Sequence, residues 1–163
     1  MLLSGNFDID APRALVWERI VDPGLMAVCI PGCESITQVD DLTYEAVVVV
    51  GVGVISARFN LVIEVIEQNM PSEVVSRTSG VEGGRASTLH SENRVLLTEL
   101  APEKTRVDYS SEVNIAGRLG KFGLGVMRKH VEKMAQEFAA HFSVGIVEGR
   151  EAVERRLEGS AKS

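Results

Sequence analysis

The sequence predicts an α+β chain: a curved antiparallel sheet of about seven strands wrapped around a long C-terminal helix, with two short helices after the first strand. Three observations carry this. Residues 117–145 place Leu119, Phe122, Val126, Met127, His130, Met134, Phe138, His141 and Phe142 at helical spacing, with Arg118, Lys121, Arg128, Lys129, Glu132 and Lys133 on the opposite face. From about residue 33 to that helix the chain reads as strand and turn, with alternating apolar positions and short breaks. Short connections make neighbouring strands antiparallel, and a long apolar stripe must be buried against the only large partner present, the sheet.

Each element has its own signal. Residues 2–9 alternate Leu3, Gly5, Phe7 and Ile9 with Ser4, Asn6 and Asp8, a half-buried first strand. Asp10 before Ala11-Pro12 is read as the N-cap of a helix over Pro12–Val21, which Asp22-Pro23-Gly24 ends. A second short helix is expected over Gly24–Cys29, stopped by Ile30-Pro31-Gly32. Strands are then expected over Glu34–Val39, Thr43–Val52, Val54–Gln68, Glu73–Val81, Arg85–Leu100 and Thr105–Ala116. The turns are Asp40-Asp41, Met70-Pro71-Ser72, Glu82-Gly83-Gly84 and Ala101-Pro102-Glu103-Lys104. Gly51-Val52-Gly53 is read as a bulge or bend rather than a phosphate loop, because no helix follows it. Residues 1–145 form one ligand-binding domain on this reading. The charged tail, 146–163, is expected as a frayed helix that passes into disorder.

Composition narrows the function. With 17 Lys and Arg against 23 Asp and Glu, the net charge is −6, which argues against nucleic acid as a partner. The charge is uneven: residues 1–117 carry 8 basic and 17 acidic groups, whereas residues 118–145 carry 5 basic and 2 acidic. That basic helix face (Arg118, Lys121, Arg128, Lys129) is either a solvated surface or a docking face for an acidic partner. No secretory signal and no run of eighteen apolar residues is visible, so a cytoplasmic protein is expected. Cys29 and Cys33 are then free thiols rather than a disulfide. His90, His130 and His141 lack metal-ligand spacing, and no metal or other cofactor is expected. No Gly-x-Ser-x-Gly occurs, and a Cys29–His130 nucleophile pair is the weaker of the chemical readings.

What remains is an apolar pocket between helix and sheet. Its expected lining is Met26, Ile30, Tyr44, Phe59, Leu89, Tyr109, Phe122, Val126, Met127, His130 and Met134, with Tyr44, Tyr109 and His130 as polar anchors. The alternative is that these side chains fill a solid core.

Several segments carry a resemblance. Phe7-x-Ile9-x-Ala11-Pro12, Val16-Trp17, Asp22-Pro23 and the stretch Cys29-Ile30-Pro31-Gly32-Cys33-Glu34 resemble the opening of the G-subunit family of carbon monoxide dehydrogenase. Tyr44-x-Ala46, Gly51-x-Gly53, Gly83-Gly84-x-Ala86 and Gly117-Arg118-Leu119 agree with it, so the resemblance spans about residues 3–145. It implies the START-like (SRPBCC) helix-grip fold with a hydrophobic cavity. It also implies a non-catalytic accessory of a carbon monoxide dehydrogenase-type molybdenum hydroxylase, which recruits that enzyme to the inner membrane face or delivers quinone to it. The implied cargo is a lipid or isoprenoid quinone. The tail offers only Ile146, Val147, Val153 and Leu157 as apolar contacts, so membrane contact is expected to be weak or absent. Two other readings stay open: a cyclase-, dehydratase- or hydrolase-type enzyme using His130, and a pure docking module.

Overall fold

A computed structural model describes residues 1–52, 54–121 and 124–162. Its elements are β1 (Leu2–Ile9), α1 (Arg13–Ile20), α2 (Pro23–Cys29), β2 (Cys33–Asp40), β3 (Thr43–Val52), β4 (Ile55–Asn69), β5 (Glu73–Glu82), β6 (Ser87–Ala101), β7 (Lys104–Gly117), α3 (Leu124–Glu148) and α4 (Arg150–Lys162). The strands form one antiparallel sheet in the order β1-β7-β6-β5-β4-β3-β2. The meander from β2 to β7 follows chain order, and α1 and α2 carry the chain from the β1 edge to the β2 edge. This is the α+β architecture expected.

Local chemistry sets the boundaries. The Asp22 carboxylate accepts from the backbone N–H of Gly24 at 3.0 Å and of Leu25 at 3.3 Å, which starts α2 at Pro23. The expected Asp10 cap is not made. Pro12 holds the N-cap position in extended conformation, no side chain caps α1, and the Pro12 carbonyl accepts from Leu15 and Val16. The Thr105 hydroxyl pins this corner by donating to the Ala11 carbonyl at 2.8 Å. At the β2–β3 turn the Asp40 carboxylate accepts from Leu42 N–H at 2.9 Å.

Two glycines are dictated by geometry. Gly32 has φ of +78°, and a Cβ there would lie 2.2 Å from the Val49 carbonyl oxygen. Gly117 has φ of +90°, and its Cβ would lie 2.2 Å from the Ala86 carbonyl oxygen. The bulge expected at Gly51 is absent: β3 and β4 pair without a shift from Thr43↔Glu64 to Val52↔Ile55, so Gly51 sits near the end of a plain hairpin. Gly53, the other glycine of that motif, lies outside the described residues.

The long helix differs from expectation at both ends. It begins with a short 3-10 turn, Leu119–Lys121, and α3 proper runs from Leu124 to Glu148. Gly117 in the left-handed region prevents the helix from starting there. The tail carries helix α4, Arg150–Lys162. Gly149, at φ of +87°, breaks α3 from α4, and Ala152 and Val153 are buried. Gly145 makes room for this packing, since a Cβ there would meet Leu25 Cδ1 at 2.6 Å and Val153 Cγ2 at 3.4 Å.

Apolar packing falls into two clusters. The first joins Ile9, Val16, Trp17, Leu25, Cys29, Leu97, Val107, Phe142, Ile146 and Val153. It ties the lower ends of β1, β6 and β7 to all four helices. The second is smaller, with Ala57, Phe59 and Leu119 buried and Leu61, Leu89 and Ile115 packed against them. Among the described residues no helix is long and apolar enough to cross a membrane.

Candidate functional site

Register defines what faces the helix. Directly paired residues of antiparallel strands share a face. Leu97 and Val107 pair and belong to the first cluster, as does Phe142 of α3. Leu89 and Ile115 pair at the other end of the same strands and belong to the second. Between them on this inner face lie Ser91, Asn93 and Val95 of β6 and Tyr109, Ser111 and Val113 of β7. Ser76 and Thr78 of β5 and Ile63 and Val65 of β4 continue the row. Apart from Thr78, which is buried, every one of these residues is only half-buried. Two closed cores therefore flank a middle zone whose side chains are less completely buried.

The zone is not uniformly apolar. The Asn93 side-chain amide donates to Thr78 Oγ1 at 3.1 Å and to Ser76 Oγ at 3.4 Å, and its carbonyl oxygen accepts from the Ser111 hydroxyl at 2.8 Å. Four side chains on three strands thus form one hydrogen-bonded band across the floor.

Helix α3 roofs the zone from the β1 side. The Arg128 guanidinium donates to the Leu2 carbonyl at 3.2 Å, and the Phe138 ring meets Phe7 edge-on with centroids 6.4 Å apart. His130, Val131 and Met134 lie between these anchors, at the level where Leu3 and Gly5 pair with Ser111 and Tyr109. All three are half-buried. Farther along, the Phe138 and Phe142 rings stack at 5.3 Å and close the zone into the first cluster.

The expected lining residues separate on this frame. Tyr109 stands on the inner face beside Phe7, with ring centroids 6.4 Å apart. Its hydroxyl lies over Gly5, where a Cβ would come within 2.4 Å of it. Tyr44 lies near the β2 side, paired with Ile63. Phe59 is in the second cluster with Leu89 against it. Met26 packs on the first cluster, Ile30 is the half-buried residue that ends α2, and Met127 is buried. Val126 is 51% exposed, so it does not belong with the buried lining. Phe122 lies outside the described residues.

The cations on the helix also differ in role. Arg118 pairs with the carboxylate of Glu82, which is buried (3% exposed), and donates to the Ser56 carbonyl at 3.2 Å. The hydrogen bond from Arg118 holds the Glu82 carboxyl below the usual carboxylate range. Arg118 is thus a structural clamp between the β5 end and the start of the helix. Arg128 and Lys129 are exposed, and the Lys121 side chain lies outside the described set. Cys29 is buried, and desolvation pushes its thiol up to about 11. His141, not His130, approaches this segment: its Nδ1 lies 3.3 Å from the Cys29 carbonyl oxygen. No group of three His, Cys, Asp or Glu residues placed to hold a metal occurs among the described residues.

A depression of about 690 Å³ on the outer face is lined by Arg77, His90, Glu92, Arg94, Glu112 and Asn114, among others. It lies on the opposite side of the sheet from α3, and charged side chains of both signs share its lining with Leu2 and Val75.

The sequence reading misses the polar band. Leu89, Val95 and Leu97 are read as one face of their strand, and that phase places Ser91 and Asn93 on the same face. Val107, Tyr109, Val113 and Ile115 likewise carry Ser111 with them.

A family model for the G subunit of carbon monoxide dehydrogenase (CoxG) matches residues 5–146. The chain belongs to this family. A search of curated proteins finds no match. Among solved structures, a conserved protein from Geobacillus kaustophilus superposes with a TM-score of 0.83 at 20% identity, covering 91% of this chain and 96% of that one. A START superfamily protein from Mycobacterium smegmatis gives a TM-score of 0.68 at 14% identity, with 94% and 97% covered. The Zhui aromatase/cyclase from Streptomyces sp. R1128 gives 0.62 at 16% identity, with 96% and 95% covered. At these identities the likeness concerns the fold, and that fold is the START-like helix grip. Within this CoxG-family chain, the Cys29-Ile30-Pro31-Gly32-Cys33-Glu34 stretch is the α2–β2 corner, built around the obligatory Gly32.

Proposed function

We propose that this CoxG-family protein is a non-catalytic carrier that holds a hydrophobic small molecule between α3 and the inner face of the sheet. The observation that carries this is the interrupted core: apolar Ile63, Val65, Val113 and Met134 remain half-buried between two closed clusters. A monomer gains by closing such a gap, at about 25 cal/mol per Å² of apolar surface. A ligand with an apolar body closes it instead. The family supports a lipid or isoprenoid quinone as cargo and a molybdenum hydroxylase of the carbon monoxide dehydrogenase type as recipient. Arg128 and Lys129 are the exposed cations that would face such a partner.

Native mass spectrometry of freshly purified protein, followed by organic extraction, tests the reading. A released lipid or quinone supports it and names the cargo. A clean apo mass, with no lipid or quinone raising the unfolding temperature afterwards, rules it out.

A further inference from the structure

We propose that Ser76, Thr78, Ser91, Asn93 and Ser111 form a head-group site on the floor of this zone, and that the site selects an uncharged ligand bearing a carbonyl oxygen. The inference rests on the carrier reading and specifies what that carrier accepts.

Three features of the floor lead to it. First, the band lies in the middle of an otherwise apolar face. Each half-buried polar side chain carries a desolvation cost unless its hydrogen bonds are made. Apolar residues at these five positions would join the two clusters into a single core. Second, the band has a definite polarity. Asn93 spends its amide hydrogens on Ser76 and Thr78, and its oxygen accepts from Ser111. The oxygens of Ser76 and Thr78 each accept once from this amide, so their hydroxyl hydrogens are not used within the band and can donate. The floor offers donors upward, which a carbonyl oxygen accepts. Third, the face carries no charge at this level. The inward positions are Leu61, Ile63 and Val65 on β4, Val74, Ser76, Thr78 and Gly80 on β5, and the run from Leu89 to Leu97 on β6 facing Ile115 to Val107 on β7. None is Lys, Arg, Asp or Glu. A carboxylate or phosphate placed there would be desolvated with no cation to balance it.

The band also holds strands together, and the test separates that role from recognition. Protein stripped of bound lipid over a hydrophobic resin is titrated with three probes of matched length: 2-undecanone, n-undecane and decanoate. In the wild type, 2-undecanone is expected to bind roughly tenfold more tightly than either of the others, the worth of a good hydrogen bond. Ser76→Ala and Thr78→Val, each first checked for an unchanged unfolding temperature, are expected to weaken the ketone's advantage, and the two together to abolish it, while n-undecane binds as before. Asn93→Leu is the stronger change but risks misfolding, so the two milder variants decide. Equal binding of ketone and alkane in the wild type overturns the head-group site while leaving the carrier reading in place. So does decanoate binding tightest, or a ketone preference that survives the two changes together. Failure of all three probes to bind overturns the carrier reading itself.

Discussion

Glu82, at the end of β5, is buried and held by Arg118, the first residue past the end of β7. The pair joins the middle of the sheet to the start of the final helix. Its neighbours add to the junction: Arg118 N–H donates to the Ala86 carbonyl at 2.8 Å, and Leu119 N–H donates to Ser87 Oγ at 3.1 Å. Leu119 is thereby set into the second cluster, and α3 is aimed along β1. The cation that the sequence suggests as a docking group is thus committed inside the fold.

Removing Arg118 leaves a buried carboxylate without its partner, which costs more than removing the pair together. Arg118→Met is expected to lower the unfolding temperature, and the double change with Glu82→Gln to recover much of the loss. Arg118 lowers the folded-state pKa of Glu82. Stability from the pair is therefore present above the ordinary glutamate pKa, about 4.3, and is lost as pH falls through the lower folded value. The gap in unfolding temperature between wild type and Arg118→Met should be wide at pH 7 and narrow at pH 3. A gap unchanged with pH would show that Arg118 acts through packing alone.

Burial raises both thiols, Cys29 to about 11. The unfolded chain ionises its thiols near pH 8.5, whereas folded Cys29 stays protonated well above that. Its protonated form is favoured by the fold, so stability is intact below pH 8.5 and falls as pH rises from there toward 11. Cys29→Ala is expected to flatten that fall in urea midpoints measured between pH 7 and 10. In the native state, half-buried Cys33 should react with a thiol reagent before Cys29 does, since Cys29 is fully enclosed.

Gly5 and Tyr109 share one space. A Cβ at Gly5 would meet the Tyr109 hydroxyl at 2.4 Å and its ring carbon Cζ at 2.7 Å. Gly5→Ala should therefore destabilise by about 2 kcal/mol, the cost of overpacking. In a Tyr109→Leu background the same change should cost less than about 1 kcal/mol, because the obstructing atoms are gone. Additive losses in denaturant titration would show that the clash relaxes elsewhere.

Much of this fold is legible in the sequence because strand alternation and turn residues act locally. Asp40, Asp22-Pro23 and Gly32 each dictate a turn or cap from within a few residues. The errors arise where tertiary geometry decides. Asp10 looks like a cap, but the Thr105 hydroxyl fixes the chain at Ala11 and leaves Pro12 at the helix start. Residues 117–123 have helical spacing, yet the approach of Ala86 requires Gly117 to adopt a positive φ. Apolarity selects the expected inward set, and that criterion passes over Ser91, Asn93 and Ser111 although they share the phase of their apolar neighbours. The same criterion admits Val126 by residue type, although it is exposed.

Helix α4 is anchored through its first turn, where Ala152 and Val153 are buried. Val153 is fully buried against the first cluster, whereas Leu157, one turn on, is 38% exposed. Val153→Ala is expected to cost roughly 2 kcal/mol and Leu157→Ala less than about 0.5 kcal/mol. Hydrogen exchange should show protection at the start of α4 that Val153→Ala removes and Leu157→Ala leaves. Equal effects of the two would mean that α4 is held by its charged residues instead.

The space that the carrier reading requires can be tested by filling it. Met134 lies on α3 between the anchors at Arg128 and Phe138 and is half-buried among half-buried neighbours. In a solid core, Met134→Trp would force neighbouring side chains off their rotamers and cost about 1–3 kcal/mol. Over an open space, the indole has room, and the variant should match the wild type within about 0.5 kcal/mol in urea titration. It should also carry less co-purifying ligand in native mass spectra, because the ring occupies the ligand's volume. Val126→Trp, on the exposed flank, should leave both quantities unchanged. A strongly destabilised Met134→Trp would mean that the two clusters meet across the band and that no space for a ligand exists between them.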